Sequence, residues 1–166
     1  MPEKDLVIKE KIENSGLFDF PAFYSYAHSW FINEQYGVVE EKYSERVSGN
    51  KRDLVIEWKA TKKFSDYFKV EIAVKFEIGE MTEVEAEIDG KTKKMNKGKV
   101  VVEIKAVLVK DHESKWESSW SSRFFRDIYN KYIIPTRVFA MNNKAEDDVK
   151  KFKEEIKAFL ELSGRR

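Results

Sequence analysis

Few side chains in this sequence are equipped for chemistry, and they come in short groups. Asp111, His112 and Glu113 stand in a row, a set that would supply a general base or two kinds of metal ligand. Consecutive residues of an extended segment point to opposite faces, so three in a row do not readily converge on one ion. A polar turn is the expectation there. The other histidine, His28, follows Ala27 at the border of an apolar helical stripe, the place of a partly buried, hydrogen-bonded imidazole. Glu83, Glu85 and Glu87 are spaced by two and share one strand face, where Lys91, Lys93 and Lys94 across a hairpin would pair with them. Cross-strand ion pairing is therefore preferred over paired-carboxylate catalysis. Phosphate-binding glycine loops, zinc-protease helices and nucleophile elbows have no counterpart in the sequence. With 2 His in all, proton transfer near neutral pH has little to draw on. No catalytic residue, metal ligand or cofactor is assigned, and a non-catalytic role is expected.

Two other groups point to binding. Lys91, Lys93, Lys94, Lys97 and Lys99, extended by Lys62 and Lys63 at another strand end, make a basic cluster that would hold phosphates by counterion release. No aromatic residue is interleaved between Lys91 and Lys99, so bases find nothing to stack on. The acidic strand opposite also cancels much of the charge. A solvated hairpin that discourages edge-to-edge pairing is preferred over nucleic-acid binding. The second group is aromatic, a class that makes up 14% of the chain. Trp30, Trp58, Phe76, Trp116, Trp120 and Tyr132, with Phe31, Phe68 and Phe124, would line a groove between sheet and helix and take a small apolar molecule, or fill that space as core.

Composition narrows the setting. A chain of 166 residues fits one domain with an ordinary core. The absence of Cys removes disulfides, thiolate metal sites and Cys nucleophiles. Lys and Arg total 31 against 30 for Asp and Glu, a net charge of +1, so no global field draws the protein to nucleic acid or anionic lipid. The start, MPEKDLVIKEK, lacks the pattern of a secretory signal, and no apolar run is long enough to span a membrane. A cytoplasmic protein is expected.

The elements that must position these side chains follow from periodicity. From Lys51 to Asp111 apolar residues fall on even positions: Leu54, Ile56, Trp58, Ala60; Phe68 to Ile78; Val84, Ala86, Ile88; Val100 to Leu108. Charged residues lie between them, the pattern of an antiparallel sheet that is dry on one face. Strands are expected at Leu6–Ile12, as an edge, and at Val38–Val47, Leu54–Ala60, Tyr67–Ile78, Thr82–Ile88, Lys91–Met95 and Lys99–Lys110, with Gly79 as a break and Asp89-Gly90 as a type I′ hairpin turn. Asp19 and Pro21 should open a helix bearing the stripe Phe23, Tyr24, Ala27, Trp30, Phe31, with Gly37 closing the region. A helical period starts again at Trp116 and is broken at Pro135. A further stripe, Val149, Phe152, Ile156, Phe159, Leu160, is preceded by Asn143 and Glu146 at capping-box spacing and stopped by Gly164.

This order resembles the helix-grip architecture of START-like proteins, in which a curved sheet wraps the last helix; the resemblance implies a cavity for an apolar ligand. The segment DYFKVEIAVKFEIGEMTEVEAEIDGKTKKMNKGKV, followed by KDHESKWE and DIYNKYII, is similar to uncharacterised small proteins of archaea with reduced genomes, over Gly49 to Ile134. That similarity implies no activity. The expected fold is a single α+β domain, an antiparallel meander with a short N-terminal helix and a long, Pro-interrupted C-terminal helical segment on one face. The expected role is a binding module for a small apolar molecule. The alternative is a protein or ribonucleoprotein accessory that uses the Lys/Glu face, and edge strands leave room for a protein partner or a homodimer.

Overall fold

The alternation from Leu54 to Leu108 becomes one antiparallel sheet in the computed structural model of the chain, which describes residues 3–65, 67–110, 124 and 134–164. The elements are β1 (Glu3–Phe18), α1 (Phe20–Asn33), β2 (Gly37–Ser48), β3 (Lys51–Lys63), β4 (Phe68–Ile88), β5 (Lys91–Lys110) and α2 (Ile134–Gly164). The 5-stranded sheet has the order β1-β5-β4-β3-β2, an α+β arrangement with a helix-grip-like layout. The even-numbered residues from Leu54 to Ala60, Phe68 to Ile78 and Val100 to Leu108 are all 2% exposed or less. Parity thus sets the dry face, and both helices lie on it.

The break expected at Gly79 is a β-bulge inside a continuous strand. Gly79 pairs with Lys99 and Thr82 with Lys97, so Glu80 and Met81 together oppose Gly98. Glu80 takes a positive φ of 52°, and its amide donates to the Asp53 carboxylate at 2.8 Å. Met81 turns fully inward. The ladder then resumes and runs to the hairpin, where Asp89 and Gly90 both adopt positive φ, 52° and 76°, as a type I′ turn requires. Thr82–Ile88 and Tyr67–Ile78 are accordingly one strand, and so are Lys91–Met95 and Lys99–Lys110. β1 is an edge strand as expected but longer, pairing with β5 from Glu3 to Phe18.

Asp19 caps α1 by accepting from the Ala22 amide at 3.2 Å, with Pro21 in the first turn. The far end closes at Gln35, ahead of Gly37. Gln35 has a φ of 67°, its amide donates to Ile32 O at 3.0 Å, and the Tyr36 amide donates to Phe31 O at 2.9 Å. The Tyr36 and Phe31 rings meet at 5.7 Å, completing a Schellman motif with Gln where Gly is commoner. α2 is continuous through Asn143, so the capping-box spacing there marks no helix start. Glu146 instead pairs with Lys150 at 2.8 Å. Pro135 sits in the first turn of this helix, where its missing donor costs no intrahelical bond.

α2 buries Ala145, Val149, Phe152, Ile156 and Leu160, one face of a 3.6-residue period. Its Lys153 reaches Glu10 of β1 at 2.8 Å. Its Phe152 packs on Phe31 and Trp30 of α1 at ring separations of 4.5 Å and 5.1 Å. Among the described residues no helix is long and apolar enough to cross a membrane.

A methyl group added at Gly98 would lie 2.9 Å from Gly79 O and 3.1 Å from the Met81 Cα. Gly98→Ala should therefore lower stability by about 1–3 kcal/mol, whereas Gly79→Ala, whose methyl meets nothing, should shift it by less than about 0.5 kcal/mol. Urea midpoints of the two variants test this, and equal midpoints would show that the bulge is not tightly packed.

Candidate functional site

Two of the groove candidates, Trp58 and Phe76, are packed against each other. Trp58 is 1% exposed, with the Phe76 ring at 4.8 Å, Tyr24 at 5.2 Å and His28 at 5.7 Å. Its indole N–H donates to Glu40 Oε1 at 3.3 Å, and the Tyr24 hydroxyl donates to the same oxygen at 2.7 Å. Phe76 also meets Phe23 edge-on at 5.8 Å. Trp30 is half-buried between Phe31 and Phe152. Trp116, Trp120 and Tyr132 lie outside the described residues, as do Asp111, His112 and Glu113. His28 makes an aromatic contact with Trp58 and serves as packing.

The buried polar groups act as structural ties. The Asp148 carboxylate is fully buried and accepts from the Tyr36 hydroxyl at 2.8 Å and from Lys144 Nζ at 2.8 Å. Burial, then the Asp148 hydrogen bond, pushes the Tyr36 phenol far up. Tyr24 is pushed up to about 12 by burial and by its bond to Glu40, and Tyr26 to about 12 by its bond to Glu155 and by burial. These phenols stay protonated at neutral pH and act as donors, not as bases. Among the described residues no three His, Asp or Glu side chains gather as a metal site would require.

The lysines of the basic cluster are distributed rather than gathered. Lys93 stands opposite Ala86 and Lys94 opposite Glu85, so these neighbours point to opposite faces. Lys93 pairs with Asp19 at 3.2 Å and Lys94 with Glu83 at 3.7 Å. Lys91 lies opposite Ile88. Lys97 and Lys99 flank a shallow depression of about 460 Å³ with Lys51 and Glu80. Lys62 donates to Glu34 O at 3.0 Å and lies 5.4 Å over the Tyr36 ring, serving the helix end. The glutamate run thus makes one of the cross-strand pairs expected of it.

Two concavities bear on the expected binding roles. An apolar cleft of about 290 Å³ opens between the β4–β5 hairpin and the ends of the two helices, lined by Ala22, Ile88, Met95, Phe159 and Leu162, with Asp19 and Lys93 at its rim. The larger hollow, about 800 Å³, lies on the charged outer face over Ala73, ringed by Lys9, Lys11, Glu41, Glu57, Lys75, Glu103 and Lys105. Periodicity puts these residues on one face, but only the register brings them together, because it sets Lys105 and Lys59 on either side of Ala73. No family model and no curated protein sequence matches the chain.

Beside the hollow, Glu71 gathers Lys69 at 3.1 Å, Lys59 at 3.7 Å and Lys4 at 3.7 Å. Burial raises its pKa, but the Lys69 hydrogen bond and the charges of Lys59, Lys69 and Lys4 outweigh burial and hold the carboxyl below its ordinary value of 4.5. A depressed folded-state pKa contributes stability above the unfolded value, and the contribution is lost as pH falls through the folded one. The stability advantage of the parent over Glu71→Gln should therefore be widest at neutral pH and shrink as pH falls below 4.5. Urea unfolding across that range checks it; a gap independent of pH would contradict the cluster.

Proposed function

We propose that this protein is a cytosolic, non-catalytic binding module that holds a small apolar molecule between the sheet and the C-terminal helix. The observation that carries the reading is the cleft of Ala22, Ile88, Met95, Phe159 and Leu162. There the hairpin and α2 part, and Leu162 stands 59% exposed. Elsewhere among the described residues the space beneath the helices is occupied by Phe31, Trp58, Phe76 and Phe152. A mostly apolar pocket with a few polar groups at its edge suits an amphiphile whose tail enters and whose head stays at the Asp19–Lys93 rim. The helix-grip-like layout supports the same reading, because START-like proteins, which the chain resembles in element order, use this region for ligands.

A protein partner, either a second copy or a component of a larger ribonucleoprotein, is the second reading. It is favoured by β2, an edge strand exposed along nearly its whole length that presents Val39, Tyr43 and Val47 at 62%, 49% and 64% exposure. Unpaired strand edges are templates for another chain.

Native mass spectrometry of protein purified from its own host separates the two. The first reading expects a small apolar adduct on the parent chain that is lost from Ala22→Phe, a substitution that fills the cleft from an exposed helix position. A stoichiometric protein mass would support the second reading. An unadorned chain whose affinity for decanoate is unchanged by Ala22→Phe would sink the first.

A further inference from the structure

The hollow on the outer face is a second and chemically different site. The cross-strand rows there are regular. One runs Lys9, Lys105, Ala73, Lys59, and the next runs Lys11, Glu103, Lys75, Glu57, Lys42. On a charged sheet face each lysine would ordinarily lean on the carboxylate beside it. Three of these pair instead with carboxylates that do not line the hollow. Lys11 pairs with Glu13 at 3.1 Å, Lys75 with Glu77 at 3.1 Å, and Lys59 with Glu71 at 3.7 Å. Glu10 is held on the opposite face by Lys153. The ring therefore keeps two ammonium groups, Lys9 and Lys105, and three carboxylates, Glu41, Glu57 and Glu103, with no ion-pair contact among the described residues.

Those uncommitted charges are sorted in space. The ammonium groups stand on β1 and β5, and Glu57 and Glu41 stand on β3 and β2 across the bare Ala73, with Glu103 on β5 beside Lys105. Lys9 and Lys105 are also directly opposite each other, a like-charge pairing that strands avoid unless something anionic relieves it. From the Lys9–Lys105 pair on β1 and β5 to Glu57 and Glu41 on β3 and β2 is three strand spacings, about 14 Å, a span that inward-reaching lysine and glutamate side chains can narrow to the length of an extended amino acid.

We infer that the hollow over Ala73 binds a basic α-amino acid, its carboxylate between Lys9 and Lys105, its α-ammonium at Glu103, and its side-chain cation at Glu57 and Glu41. Two ammonium groups and three carboxylates without an ion-pair contact among the described residues match a ligand with one negative and two positive groups. A guanidinium would meet carboxylates in the paired geometry it favours. The site is independent of the apolar cleft, since it lies on the face turned away from both helices.

Calorimetric titration of the full chain with L-arginine, L-lysine, L-citrulline and L-glutamate tests the assignment. Arginine and lysine should bind saturably, and citrulline, which has the same shape without the side-chain cation, at least about tenfold more weakly. Glutamate should be weaker still. Glu57→Gln and Lys105→Gln should each weaken arginine binding by about tenfold, Ala73→Trp should abolish it, and Glu83→Gln, which lies off the hollow, should leave it unchanged. Ala73 and Lys105 are exposed and Glu57 half-exposed, and coincident thermal melts of the variants would confirm intact folds. Equal affinities for arginine and citrulline, no saturable heat with either basic amino acid, or an equal loss in Glu83→Gln would overturn the proposal.

Discussion

The fold rests on a two-residue alternation kept in register across β3, β4 and β5. Because Ile56 stands opposite Phe76 and Phe76 opposite Val102, whole rows of even-numbered side chains leave water together. The ladder meanwhile satisfies the backbone groups between them. Such a face is stable only under cover, so α1 and α2 are required as much as permitted. They divide the work: Phe23 and Tyr24 of α1 reach Phe76 and Trp58, while Lys153 of α2 ties down β1. Aromatic rings fill the ground between them, each burying a large area. Rings that close the interior leave no wide chamber beneath the described part of the helices, and the concavities lie instead at the hairpin mouth and on the outer face.

Two buried polar side chains set how this cover is placed. Asn96 accepts from the Phe20 amide at 2.9 Å, joining β5 to the first turn of α1, where an unpaired donor would otherwise be left. Asp148 joins α2 to Tyr36 at the other end of α1. Taking a carboxylate out of water costs several kcal/mol or more, and an apolar contact of equal volume would often be as stable. What Asp148 contributes is position: a one-residue slip of α2 would carry its charge, together with Lys144 on the same helix, away from the Tyr36 hydroxyl.

Features governed by neighbours in sequence are legible in the sequence itself. The parity of the strands, the Asp19 cap and the Asp89-Gly90 turn each depend on a few adjacent residues. Features governed by residues far apart are not. Gly79 reads locally as a break, yet the strand continues because Gly98 on β5 has no side chain to obstruct the bulge. Asn143 and Glu146 have capping-box spacing, but Ala145 and Val149 are packed as helix interior, and tertiary burial outweighs a local signal worth about 1 kcal/mol. Gly37 advertises a helix end and Gln35 does not, since a side-chain-bearing residue at positive φ carries no signature of its own. The expected pairing of Glu83, Glu85 and Glu87 with Lys91, Lys93 and Lys94 turns on which members share a face, and that follows from register alone.

The outer hollow shows the same limit from the functional side. Lys9, Ala73 and Lys105 are 96 residues apart at the extremes of numbering (105 − 9), and nothing in any one segment marks them as neighbours. A Lys/Glu face also has a plain purpose, since mixed charge keeps a sheet in solution, and exposed ion pairs contribute only ~0–1 kcal/mol each. What sets this region apart is the direction in which its lysines are committed. Were solubility the sole demand, Lys75 would be as well placed on Glu57 or Glu103, the residues directly opposite it on the neighbouring strands, as on Glu77. Its contact runs along its own strand to Glu77, while Glu57 and Glu103 act on it only through longer-range charge. An arrangement that leaves both signs uncommitted around a residue as small as alanine has already lost the mutual pairing a ligand would otherwise have to break, and that preorganisation separates a binding surface from a merely wet one.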